Sequence, residues 1–155
     1  MTARGSSALG PVEFGAVEML WRAVPSVALV VDDNPRVRQV VSLHLAQIGL
    51  EAITCDDARE IVSLASRFQP VVIVLDLMLP TTDGFTAITN LRRHAETASI
   101  PIVLISGHPE ALLRAPAHIS DFRALALLHK PFTIAELRAA VRQARCLALE
   151  DVSEG

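Results

Sequence analysis

The chain has a single lysine, Lys130, which closes an apolar run over residues 124–128 and stands directly before Pro131-Phe132; the other thirteen members of its Lys/Arg set are arginines. Three more apolar runs also end in reactive side chains: residues 27–31 in Asp32-Asp33, residues 71–75 in Asp76, and residues 102–105 in Ser106. If these runs are neighbouring parallel strands, three carboxylates, a hydroxyl and an ammonium emerge at one edge of one sheet. That set suits a phosphoryl group and a divalent metal. Three carboxylates within a few ångströms repel one another by roughly 4 kcal/mol per pair at 4 Å and an effective dielectric of about 20, so a cation must join them if all are ionised. A donor set of oxygens alone, with no His or Cys, points to Mg²⁺ or a similar hard ion.

Asp76 is the best nucleophile of the set, because it ends a central strand and is followed by a loop, residues 77–84. Attack of its carboxylate on an activated phosphoryl group gives an acyl phosphate. Lys130 and the metal would neutralise charge on the equatorial oxygens, and the Ser106 hydroxyl would donate to one of them. Lysine fits there as a compact point charge where the planar fork of arginine would be bulky. Each residue alone has a plainer role: Asp32, Asn34 or Asp83 as a helix cap, Ser106 as a turn residue, Lys130 as a solvated cation. Their joint placement at four strand ends outweighs those separate roles.

The elements that must position these groups alternate five times between residues 26 and 149. Continuous apolar runs at 27–31, 51–55, 71–75, 101–106 and 124–129 read as strands of a parallel sheet covered on both faces. The second, Glu51-Ala52-Ile53-Thr54-Cys55, is the most polar and suits an edge. Asn34-Pro35 caps a first helix whose apolar stripe is Val37, Val40, Val41, Leu45 and Ile48, ended by Gly49. Asp57 with Glu60, and Thr133 with Glu136, have capping-box spacing. Ile61, Val62 and Ala65 line the second helix, Ile88 and Leu91 the third, and Ile134, Leu137, Val141 and Ala144 the fifth. Pro109 can open a fourth helix and Pro116 breaks it after about two turns. Lys130-Pro131 is a candidate cis peptide, with Phe132 anchoring the loop that follows.

This alternation with right-handed crossovers gives a flavodoxin-like α/β fold, a doubly wound (βα)₅ sheet of five parallel strands in order 2-1-3-4-5 with helices on both faces. Its switch point falls between strands 1 and 3, the two that end in Asp32-Asp33 and Asp76.

At 155 residues the chain is one domain with short appendages, and its 51% hydrophobic, 4% aromatic composition predicts an Ala/Val/Leu/Ile interior. A net charge of −3 gives no clustered basic footprint for nucleic acid. Cys55 and Cys146 have no metal-ligand or redox spacing and are expected to be buried or partly buried. No run of 18 apolar residues exists, and Glu13 and Glu18 interrupt any signal-peptide core, so a soluble cytoplasmic protein is expected. The domain spans residues 26–149. Residues 1–25 form an extension in which Phe14, Val17, Trp21 and Val24 share one helical face, for docking on the domain, on a second copy or on a partner. Residues 150–155 are an acidic tail expected to fray.

Val30-Val31-Asp32-Asp33-Asn34, Leu75-Asp76-Leu77-Met78-Leu79-Pro80 with Asp83-Gly84, Ile105-Ser106-Gly107 and His129-Lys130-Pro131-Phe132 resemble, in order and spacing, the receiver domain of two-component response regulators. The resemblance covers about residues 26–149. It implies phosphorylation of Asp76 by a phosphohistidine on a sensor histidine kinase or a histidine phosphotransfer protein. It assigns Mg²⁺ to Asp33, Asp76 and the Met78 backbone carbonyl, with Asp32 acting through metal-bound water, and the phosphoryl group to Ser106 and Lys130. Phosphorylation would draw Ser106 inward and shift the strand 4, helix 4, strand 5 and helix 5 surface. The sequence departs from the family three residues before the lysine, where Leu127 replaces the usual rotating aromatic. Pro116 and a long stretch between Ser106 and Lys130 put the usual dimer surface in doubt.

The sequence therefore reads as a stand-alone response regulator in a phosphorelay, not a turnover enzyme, signalling through a downstream protein partner, with a homodimer as a further option. With 25 residues before the first strand and six after the fifth helix, no helix-turn-helix and no direct DNA binding are expected. The rivals are a receiver-like binding module that works without phosphorylation, a receiver excised from a hybrid kinase, and a haloacid-dehalogenase-like phosphatase. The last needs a second acid two residues after its nucleophile, where this chain has Met78 after Asp76 and Asn34 after Asp32.

Overall fold

The computed structural model describes residues 26–108, 110 and 125–154, with side chains through Glu150. The extension over residues 1–25 and the fourth helix with Pro109 and Pro116 lie outside the described residues. The five strands are β1 (Ser26–Val31), β2 (Leu50–Cys55), β3 (Val72–Asp76), β4 (Ile102–Ser106) and β5 (Leu125–His129). All neighbours are parallel, and the order is β2-β1-β3-β4-β5, the doubly wound arrangement expected from the sequence. The described helices are α1 (Pro35–Gln47), α2 (Ile61–Phe68, entered through a 3₁₀ turn at Ala58–Glu60), α3 (Gly84–Arg93) and α4 (Ile134–Glu154), the last being the fifth helix of the sequence reading.

Alternation along the central strands sends side chains into two cores. Leu29, Val31, Ile73, Leu75, Ile102 and Leu104 pack against α2 and α3 through Ile61, Ala65, Ile88 and Leu91. Ala28, Val30, Val72, Val74, Val103 and Ile105 pack against α1 and α4 through Val41, Leu45, Leu137, Val141 and Ala144. Each face thus buries an aliphatic layer, the condition for a sheet whose strands read as unbroken apolar runs. With both sides clamped, the strand ends are held in register, and the ends carry the chemistry.

The helix starts follow local signals. Asn34 Oδ1 accepts from Arg36 N, and Asp83 Oδ1 accepts from Phe85 N, so both residues are N-caps. Thr133 and Glu136 form a complete capping box: Glu136 N donates to Thr133 Oγ1, and Thr133 N donates to Glu136 Oε1. The box expected from Asp57 and Glu60 forms only in part. Asp57 caps Arg59 N, while the Glu60 carboxylate accepts from the Cys55 thiol.

Four further differences from the sequence reading have physical causes. Val40 is 46% exposed, because the first helix buries a narrower stripe, Val41 and Leu45. Cys146 is exposed on α4, where it lines a surface groove, while Cys55 is buried as expected. Residues 150–154 continue α4 instead of fraying, since no proline or glycine interrupts the helix before Gly155. The second strand begins at Leu50, one residue early, which lets a buried leucine close the lower edge of the core. The Lys130-Pro131 peptide is cis, and Phe132 packs against the α1–α4 core.

Candidate functional site

β1 and β3 lie side by side, and the chain leaves both at the same edge. Val31 pairs with Leu75, so Asp32 and Asp76, the next residue on each strand, emerge together. Strand β4 places Ile105 opposite Asp76, and β5 places His129 opposite Ser106, so Lys130 follows at the same level. Backbone bonds lock this edge: Leu77 N donates to Ile105 O, and Lys130 N donates to Ser106 O. Four strand ends are therefore converted into one cluster by register alone.

Within the cluster, Asp32 is fully buried, Asp76 is buried, and Asp33 is exposed. The three carboxylates can each present one oxygen within 4.8 Å of the others. Lys130 Nζ lies 3.0 Å from Asp32 Oδ2 and 3.3 Å from Asp76 Oδ2, bridging two acids from separate strands. The other oxygen of each acid is held by backbone: Asn34 N donates to Asp32 Oδ1 and Met78 N donates to Asp76 Oδ1. Arg38 Nη1 donates to the Asp32 carbonyl, fixing the loop from the α1 side.

The electrostatics of this arrangement are unbalanced. Burial, followed by the charge of Asp32, raises the pKa of Asp76; the Met78 N–H and Lys130 oppose the rise without cancelling it. Burial also works against the charge on Lys130, but its bond to Asp32 and the nearby Asp76 outweigh that, and its pKa is raised. One ammonium thus stands among three acids. The remaining formal charge and the all-oxygen donor set fit a hard divalent cation.

Ser106 is buried at the end of β4, but its hydroxyl is engaged locally. Its Oγ lies 3.0 Å from both the peptide N and the carbonyl O of His108, a turn closed on itself. Met78 sits at the rim with its N–H on Asp76 and its side chain half-exposed. Leu127 points outward from β5 and is 52% exposed. Asp32, Asp33, Asp76 and Lys130 therefore converge, while the Ser106 hydroxyl turns to His108 and Leu127 faces outward.

Two supporting contacts escaped sequence reasoning. Arg38 is one, because an arginine in a first helical turn ordinarily reads as solvated. The other is Thr81, whose Oγ1 donates to Asp57 Oδ1 and links the β3–α3 loop to the turn after β2. Asp57 itself is held at a pKa of about 2 by Arg59, through its side chain and then its backbone N–H. Gly84 shows why the loop after β3 needs glycine. A Cβ there would lie 2.8 Å from Leu77 Cα and 3.1 Å from Leu77 O.

The chain belongs to the response regulator receiver domain family, whose model matches residues 28–142. It is 38% identical over 116 residues to the DNA-binding dual master transcriptional regulator RpaA of Synechocystis, covering 74% of this chain and 46% of RpaA. It is 35% identical over 126 residues to the C4-dicarboxylate transport regulatory protein DctD of Pseudomonas aeruginosa, covering 79% of this chain and 26% of DctD. The chain thus spans less than half the length of these curated relatives. Among solved structures it is similar to the Vibrio cholerae chemotaxis protein CheY4, with a TM-score of 0.68 and 27% identity over 77% of this chain and 98% of that one. The receiver of the P. aeruginosa sensor histidine kinase PA1611, solved with magnesium in its active-site cleft, shares the fold at a TM-score of 0.66 and 24% identity, over 79% of this chain and 98% of that one. The expectation of no direct DNA binding finds no support here, since RpaA is by name a DNA-binding regulator. Among the described residues no helix is long and apolar enough to cross a membrane.

Proposed function

We propose that this chain is a phospho-acceptor receiver of a two-component phosphorelay, in which Asp76 takes a phosphoryl group from a phosphohistidine. The observation that carries the reading is the Lys130 bridge, which sets one ammonium against both buried acids at the switch point of the sheet. Asp32, Asp33, Asp76 and the Met78 carbonyl would hold Mg²⁺, with Asp32 acting through a metal-bound water. When bound, the ion supplies positive charge for the phosphoryl oxygens.

An Asp76 carboxylate oxygen attacks phosphorus. The new P–O bond forms as the P–N bond to the donor imidazole breaks, and the departing imidazole takes up a proton from solvent. Met78 N–H holds the other carboxylate oxygen, which orients the attacking one. Lys130 stays with the acids before transfer and turns to a phosphoryl oxygen after it. Ser106 exchanges His108 for a phosphoryl oxygen, drawing the end of β4 inward and shifting the population of the β4–β5 surface. Leu127 stands where many receivers carry an aromatic, so that surface responds without a rotating ring.

The acceptor is a signalling element and not a turnover enzyme. Its sources of phosphate are a sensor histidine kinase or a phosphotransfer protein, its output is contact with a downstream protein, and its compartment is the cytoplasm. Incubation with a small phosphoramidate donor, with Mg²⁺ or with a chelator, tests this by intact mass. The reading expects one phosphoryl group, added only with Mg²⁺. A chain that stays unmodified, or that is modified equally in chelator, overturns it.

A further inference from the structure

A groove of about 610 Å³ lies at the end of the molecule opposite Asp76, where α1 finishes, β2 begins and α4 runs past both. Ile48, Leu50 and Val141 form its apolar floor, and Arg138, Arg142 and Arg145 its rim. The three arginines fall at i, i+4 and i+7, one row on a helix. All three are exposed, and none makes an ion pair among the described residues. The described lining carries no carboxylate. Such a groove selects an occupant with an apolar stripe flanked by acids.

We infer that the occupant is the chain's own segment 13–24, which lies outside the described residues. Phe14, Val17, Trp21 and Val24 share one helical face, and helical geometry sets Glu13 and Glu18 on opposite flanks of it. A helix from Phe14 to Val24 is about 15 Å long, close to the roughly 16 Å of α4 between Arg138 and Leu149. Position agrees with chemistry. Ser26 opens β1 one residue after Pro25, and its register partner is Leu50, a residue of the groove floor. The segment therefore enters the fold beside the groove and needs no linker to reach it. Docking places the Trp21 indole on the apolar floor and Glu18 against the arginine row, with Glu13 on the opposite flank. The surface is thus an internal latch at the end of the sheet away from the acceptor.

The chain has one tryptophan and no tyrosine, so its intrinsic emission reports this contact alone. The full chain is compared with Arg142→Glu/Arg145→Glu, and with that variant carrying Glu18→Arg, by acrylamide quenching of Trp21. Light scattering follows mass, and far-UV circular dichroism follows the fold. Both arginines are exposed, so their reversal leaves the fold intact. The expected result is a shielded Trp21 in a monomeric wild type. Reversal lowers the docking constant by roughly tenfold, as surface ion pairs each move an equilibrium by a few fold and here also become repulsive, and Glu18→Arg restores shielding. Three results would overturn the latch: quenching of wild-type Trp21 like a free indole, shielding indifferent to the rim charges, or shielding that appears only as the mass doubles.

Discussion

Lys130 and Asp76, 54 positions apart in the chain, meet through an ion pair of 3.3 Å, and the same ammonium reaches Asp32 at 3.0 Å. The chain's one lysine thus bridges two acids delivered by different strands. Removing it leaves Asp32 and Asp76 facing each other with burial unrelieved. Because the lysine is a quarter exposed, the loss falls below that of a fully enclosed pair. Lys130→Ala should cost about 1–3 kcal/mol of metal-free stability, the size of a charged hydrogen bond, measured by urea unfolding. Millimolar Mg²⁺ should return part of it.

Asp76→Asn should act in the opposite direction. The folded pKa of Asp76 lies above its ordinary 3.8, chiefly through burial and then through Asp32. Well below pH 3.8 the acid is protonated in both states and adds no penalty. As pH rises toward the folded pKa, ionisation favours the unfolded chain, and the penalty persists above it. The variant should therefore be more stable than wild type at neutral pH without metal, with the difference shrinking as pH falls and vanishing well below pH 3.8. Paired urea titrations across that range check the sign.

Asp33 is the exposed member of the acid cluster and takes no part in the Lys130 bridge. Asp33→Asn should leave the metal-free melting temperature unchanged within about 1 °C, since exposed substitutions move stability by little. Its Mg²⁺ affinity should fall at least about tenfold, the loss that follows even when a group merely supporting a metal is removed. Calorimetric titration of both proteins measures the difference.

Gly84→Ala would drive a Cβ to within 2.8 Å of Leu77 Cα, a new side-chain atom against backbone. Overpacking of this kind costs about 1–3 kcal/mol. The shift enters at Leu77, between Asp76 and the Met78 N–H that holds it. The variant should therefore lose acceptor rate as well as stability, read together by denaturation and by phosphoramidate labelling.

The sheet was legible because each central strand is an unbroken apolar run, and topology then places the ends of β1 and β3 side by side. Asp32, Asp76 and Lys130 could be placed from those two facts. What sequence could not supply was side-chain direction at the edges of elements. Val40 belongs to the apolar pattern of α1 yet faces outward, because the pattern is wider than the buried stripe. Glu60 has capping spacing yet turns to Cys55, a nearer partner. Ser106 ends the right strand, but its hydroxyl closes a turn with His108. Arg38 supports the Asp32 loop through a backbone carbonyl, a contact that no residue pattern announces.

The central claim is that Asp76 carries the phosphoryl group, and borohydride reduction after phosphoramidate labelling tests it most directly. Reduction turns an aspartyl phosphate into homoserine, which peptide mapping then locates. The account predicts homoserine at position 76 alone, formed only when Mg²⁺ was present. Homoserine at any other acid, or a phosphoryl group that resists reduction and resides on a histidine, would contradict it.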